Sequence, residues 1–173
     1  MKKNIILLVL IIFFFVGCGV YSFYTISNPH IKSVMITEFE NNTEEYGLPN
    51  LITQYLTDAF IEDNRLDVLG EDADMDISGI VQSYSRIVNA YDMQENPSEW
   101  KVTITVSIEA KDLVQDKVLW QSNNLSLSAL YGTATESEEE NNNGVELFSE
   151  EEVQVSIINE LAGLILTNTL EQW

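Results

Sequence analysis

Residues 100–110 read WKVTITVSIEA, and no other stretch constrains the fold so tightly. Trp100, Val102, Ile104, Val106, Ile108 and Ala110 fall on one side of an extended chain. Lys101, Thr103, Thr105, Ser107 and Glu109 fall on the other. A strict two-residue period over this length calls for a strand with one apolar and one wet face, as in an antiparallel sheet. DLVQDK then turns the chain back into VLWQSNNLSLSALYG (residues 118–132), giving a long hairpin. Upstream, residues 75–87 form another strand-like run, with Gly79 marking a bulge or a close approach of backbone.

The helical signal is confined to two segments. LPNLITQYLTDAFI puts Leu48, Leu51, Ile52, Tyr55, Leu56, Ala59 and Phe60 on one stripe, predicting a helix from Pro49 to about Asp63 with proline in its first turn. Ser149 to Glu152 has the form of a capping box, its acids set against the positive end of the helix dipole. Val153, Ile157, Ile158, Leu161, Leu164 and Ile165 continue from it at helical spacing. Residues 31–39 read as a strand, with Val34 and Ile36 on one face and Met35 and Phe39 on the other; Leu66 to Leu69 reads as a short one. The expected fold is α+β: a two-layer sandwich with two helices packed on one face of a roughly four-stranded, mainly antiparallel sheet.

The N-terminus carries a different message. Lys2 and Lys3 precede an apolar run, Ile5 to Val16, and Gly17 precedes Cys18, the single cysteine. The run is about a dozen residues, right for a secretion signal and short of the roughly 20 that span a bilayer. One cysteine can form no internal disulfide and no multi-thiolate metal site. Val16-Gly17-Cys18 looks like a bacterial lipobox, with Phe15 where leucine is usual. Residues 1–17 are therefore expected to be a lipoprotein signal peptide, Cys18 the site of lipid attachment, residues 18–30 an anchored segment, and residues 31–173 a single domain. Several acyl chains, at about 0.8 kcal/mol per buried CH₂, hold a protein to a membrane where one holds it marginally. Within the domain, residues 133–146 (TATESEEENNNGVE) lack any core-forming pattern and are expected to form a mobile acidic loop.

Eight basic against 28 acidic residues, net −20, exclude a nucleic-acid binder and a charge-driven grip on anionic lipid. Catalytic and metal signals are weak. His30, the single histidine, follows a proline, with no Gly-x-Ser-x-Gly elbow to accompany it. Asp72, Asp74 and Asp76 alternate like a calcium loop, but Ile77 stands where glycine is needed and Ser83 where glutamate should close the cage. The glutamates between 136 and 152 read as a solvated run. No enzyme, metal or cofactor is expected. One pair stands out in so acidic a chain: if residues 75–87 and 100–110 pair, Arg86 and Lys101 meet at the loop end and could face a phosphate.

The order of GCGVYSF, IKSVMITEFENN, LITQYLTDAFIEDNRLDVL, DMDISGIVQSYS, WKVTITVSIEAKD with VLWQSNNLS, and the closing helix resembles the LptE-like family of lipopolysaccharide-assembly lipoproteins, in its Bacteroidetes-type branch. The resemblance implies an outer-membrane lipoprotein, anchored on the periplasmic side, that plugs and helps assemble the LptD β-barrel for lipopolysaccharide transport. It implies no covalent chemistry. Direct contact with lipopolysaccharide would use basic residues, of which Arg86 and Lys101 are the candidates. The alternative is a free-standing lipid-anchored periplasmic binding or scaffold module, and a third reading, a lipid-anchored hydrolase, would need His30 or an acidic pair.

Overall fold

The structure, a computed structural model, describes residues 28–132 and 149–171. Cys18, the signal segment and the acidic stretch 133–146 lie outside the described residues. The chain runs β1 (Ser33–Ile36), β2 (Glu40–Asn41), α1 (Leu48–Asp63), β3 (Asp67–Val68), β4 (Met75–Tyr91), β5 (Pro97–Asp112), β6 (Lys117–Gly132) and α2 (Glu150–Glu171).

The sheet corrects the expected architecture. It has six strands in the order β3-β1-β4-β5-β6, with β2 also on β4. β1 pairs in parallel with both β3 and β4, and β2 pairs in parallel with β4; only β4–β5 and β5–β6 are antiparallel. The general α+β class holds, but the sheet is mixed, not four-stranded and mainly antiparallel. The cause lies in the first third of the chain. There α1 carries the chain from β1 and β2 to β3, which pairs in parallel beside β1, and parallel neighbours need such a crossover.

The segment expected as one strand over residues 31–39 is split. β1 matches Val34 to Met75 and Ile36 to Ile77, and β2 matches Glu40 to Ile80. Between them the backbone leaves strand geometry, which changes the side-chain parity. Phe39 therefore enters the same core as Val34, at 3% and 0% exposure, instead of facing away from it. Gly79 makes the room. A Cβ there would lie 2.4 Å from Phe39 Cε1 and 2.6 Å from the Ser107 carbonyl oxygen. The close approach expected at this glycine is thus real.

One apolar core joins the layers. Val34, Met75, Ile77, Val81, Ile104 and Val106 of the sheet meet Ile52, Leu56 and Phe60 of α1 and Ile157, Ile158, Leu161 and Ile165 of α2. Burying each such side chain stabilises by about 1.5–3 kcal/mol. The helices pack on each other, with α1 over β1 to β4 and α2 over β5 and β6. At 22 residues, α2 is long and apolar enough by composition to cross a membrane, yet here it buries its apolar stripe in the core. Its capping box is formed: Ser149 N–H donates to Glu152 Oε2 at 2.7 Å, and Glu152 N–H returns to Ser149 Oγ at 3.2 Å.

Candidate functional site

The register places the two candidate cations on opposite faces of the sheet. Arg86 is opposite Val102, a core-side residue, whereas Lys101 pairs with Ile87 and Leu130 on the wet face. Arg86 is also engaged. Its Nη1 donates to Glu150 Oε2 at 2.7 Å, and its guanidinium lies 5.0 Å from the centre of the Trp100 ring. Tyr84 and Tyr131 donate their hydroxyls to the same carboxylate at 2.7 and 2.9 Å. Burial pushes the Glu150 carboxyl up, but the hydrogen bonds from Tyr84, Arg86 and Tyr131 outweigh it and hold it below the usual carboxylate range. Burial and the neighbouring carboxylate push the Tyr84 phenol well above its ordinary value. This cluster fixes the first residue of α2 to the far ends of β4, β5 and β6. It was not foreseen, because Tyr84 and Tyr131 become neighbours only once both strand registers are known.

The remaining acidic candidates serve the fold. Asp74 Oδ2 accepts from the backbone N–H groups of Lys32 and Ser33 at 2.8 and 3.2 Å, and from Ser33 Oγ at 3.1 Å, so it clasps the start of β1. The Lys32 amide and the Ser33 hydroxyl hold its carboxyl below the ordinary value. Asp76 accepts from Thr37 Oγ1 at 2.7 Å. The two carboxylates are thus occupied separately, and among the described residues no group of three His, Cys, Asp or Glu could hold a metal ion. His30 Nε2 lies 2.5 Å from Oδ2 of the buried Asp112. The other oxygen of Asp112 accepts from the N–H groups of Val114 and Gln115 at the β5–β6 turn. Burial pushes the Asp112 carboxyl up, and the donors of Gln115, His30 and Val114 overcome it. This histidine–aspartate pair ties the segment before β1 to the end of β5.

The surface left over is the wet side of the sheet. Register stacks Ser85, Thr103 and Ser128 in one row and Ser83, Thr105 and Ser126 in the next. Thr105 and Ser126 hydroxyls are 3.1 Å apart, and Gln82 donates to Ser107 Oγ at 3.0 Å. This patch carries no charge in a chain of net −20. Beyond it, a shallow depression of about 340 Å³ is lined by Ser78, Ser107, Gln121 and Asn123, with Glu38, Glu40 and Glu109. Such an arrangement offers many hydrogen bonds and no activated nucleophile. Its chemistry is that of a binding surface.

Residues 31–169 match the family model described as LptE, lipopolysaccharide-assembly. No curated protein matches the chain in sequence. Among solved structures, uncharacterized lipoprotein B from Nitrosomonas europaea superposes with a TM-score of 0.57, at 15% identity over 87% of this chain and 88% of that one. A protein from Xanthomonas campestris gives 0.55 at 9% identity over 83% and 88% of the two chains. A hypothetical protein from Chlamydia trachomatis gives 0.53 at 9% identity over 80% and 98%. At these identities the likeness is one of fold.

Proposed function

Because the chain belongs to the LptE family of lipopolysaccharide-assembly proteins, we propose that it acts as a lipid-anchored plug for an LptD-type outer-membrane β-barrel. In this reading residues 1–17 are removed as a signal peptide, acyl groups on Cys18 hold the protein to the periplasmic side of the outer membrane, and the folded domain sits in the barrel and assists its assembly for lipopolysaccharide transport. The family is one of assembly proteins, not of enzymes. The observation that carries the reading is the neutral hydroxyl face of Ser83, Ser85, Thr103, Thr105, Ser126 and Ser128. A flat polar surface without charge can meet a hydrated, hydrogen-bonding wall without stranding buried ions. Lys101, on that same side, is the candidate for partner or lipopolysaccharide-phosphate contact, and Arg86 contributes by holding α2 through Glu150.

Photo-crosslinking from Thr103, Thr105 and Ser107 in intact cells tests this directly. The expected product joins the protein to a large outer-membrane barrel, and depletion of the protein is expected to leave that barrel misassembled. Recovery of the detergent-extracted protein as a monomer, with no barrel crosslinked, would favour the free-standing module. Cys18→Ser is expected to release the protein from the membrane fraction.

A further inference from the structure

β6 is an edge strand, and it is long: 16 residues with β5 on one side and, among the described residues, no strand on the other. Proteins protect such edges with charge, proline, bulges or a covering element. Between Val118 and Gly132 there is no charged residue and no proline. Two irregularities fall in its first half, one where Lys111 and Ala110 face Val118 and Trp120 and one where Ile108 and Val106 face Ser122 and Leu125; beyond them, pairing is regular from Val106–Leu125 to Glu99–Gly132. The stretch from Leu125 to Tyr131 is therefore a regularly paired, neutral edge with no strand beyond it among the described residues.

Register shows which groups it presents. Thr37 and Asn42 donate their N–H groups to the carbonyls of Ile77 and Val81, so core-side residues of β4 direct their backbone groups toward β1 and β2. Alternation then directs those of Val102, Ile104 and Val106 toward β6, and those of Ser126, Ser128 and Leu130 outward from the sheet. α2 packs on β6 as well as on β5, yet it does not fully cover the apolar side of this edge. Val102, Ile104 and Val106 are 0% exposed, whereas their partners Ala129, Leu127 and Leu125 on β6 are only half-buried.

We infer that the Leu125–Tyr131 edge of β6 accepts an extended segment of a different protein by β-strand addition. The segment that fits alternates apolar residues, set beside Leu125, Leu127 and Ala129, with small polar residues that continue the hydroxyl face, and it is neutral or basic. A second copy of this chain is disfavoured by its own net charge of −20. Main-chain hydrogen bonds would supply affinity and the alternating side chains specificity. The inference does not depend on the barrel reading.

The test uses the purified full-length chain and a fluorescent peptide, Lys-Thr-Val-Ser-Val-Thr-Val-Lys, followed by anisotropy. Saturable binding is expected. N-methylation of every second peptide nitrogen should weaken it by about tenfold or more in one phase of alternation and change it by less than about twofold in the other, since only one set of nitrogens faces β6. Ser128→Pro, which removes an outward N–H and no bond to β5, should weaken binding by about tenfold, and Ser128→Ala should not. Replacing both peptide lysines by glutamates should also weaken it. Absence of saturable binding, or equal loss in both N-methylated peptides, overturns the inference; these arms use unaltered protein, so a folding defect in Ser128→Pro cannot obscure them. Sedimentation as a dimer that Ser128→Pro dissolves would overturn it in favour of a second copy.

Discussion

Single positions decide more of this molecule than their residue types suggest. Gly79 is needed for space, since its Cβ would meet Phe39 and the backbone carbonyl of Ser107. Gly79→Ala is expected to destabilise the fold by about 1–3 kcal/mol in urea unfolding, the usual cost of overpacking. Because the Ser107 carbonyl is also in the way, pairing it with Phe39→Ala should restore little. Glu150 is the second such position, and its effect carries a sign with pH. Its carboxyl titrates lower in the folded state than in the unfolded one, owing to Tyr84, Arg86 and Tyr131 set against the opposing pull of burial. The stabilisation is present above the unfolded value and is lost as pH falls through the folded one. Glu150→Gln should therefore cost ~1 kcal/mol at neutral pH, discounted for solvent screening, with the gap from the parent closing in acid. Urea midpoints at pH 7 and pH 3 measure it. Neither role was legible in the sequence beyond the suspicion of a close approach at Gly79.

At the scale of elements, the sequence is informative wherever a period runs long enough. The alternation of residues 100–110 correctly assigned the buried face of β5, and the helix expected from Pro49 was placed one residue late, α1 starting at Leu48. The capping box at Ser149 was equally readable, since it needs only residues three apart. Ser149→Ala should cost about 1 kcal/mol and loosen the first turn of α2, seen as faster amide exchange there. Of the two-residue strands, β3 falls inside the short strand read at Leu66 to Leu69, whereas β2 was not readable. β2 and β3 are too short to show a period, and they exist because β1 and β4 offer them partners. The missed break at residues 37–39 has the same origin. Phe39 is drawn into the core, and its N–H is accepted by Thr53 Oγ1 of α1 at 3.3 Å, a contact no local pattern announces.

Over the whole molecule, one half announces itself and the other does not. β4 to β6 form two successive hairpins, legible because neighbours in sequence are neighbours in space. β1 and β3 join by parallel pairing across α1, and nothing in a single strand reports the direction of its partner. Arg86 and Lys101 show the same limit: adjacency in register was foreseen, but opposite facing was not. The net charge of −20 acts on all elements together. Raising ionic strength from about 10 to 150 mM should raise the urea midpoint, because screening relieves self-repulsion. A fall would point to ion pairs as the dominant charge effect. The bond between His30 and Asp112 has one more consequence. It clips the leading segment to the β5–β6 turn, at the end of the sheet away from the β4–β5 loop. Twelve links separate Cys18 from His30, a leash of at most ~40 Å. A molecule moored through Cys18 would thus be tethered by its β5–β6 end, with exposed Tyr91 and Met93 at the opposite end of the strands, about 50 Å from the His30–Asp112 clip.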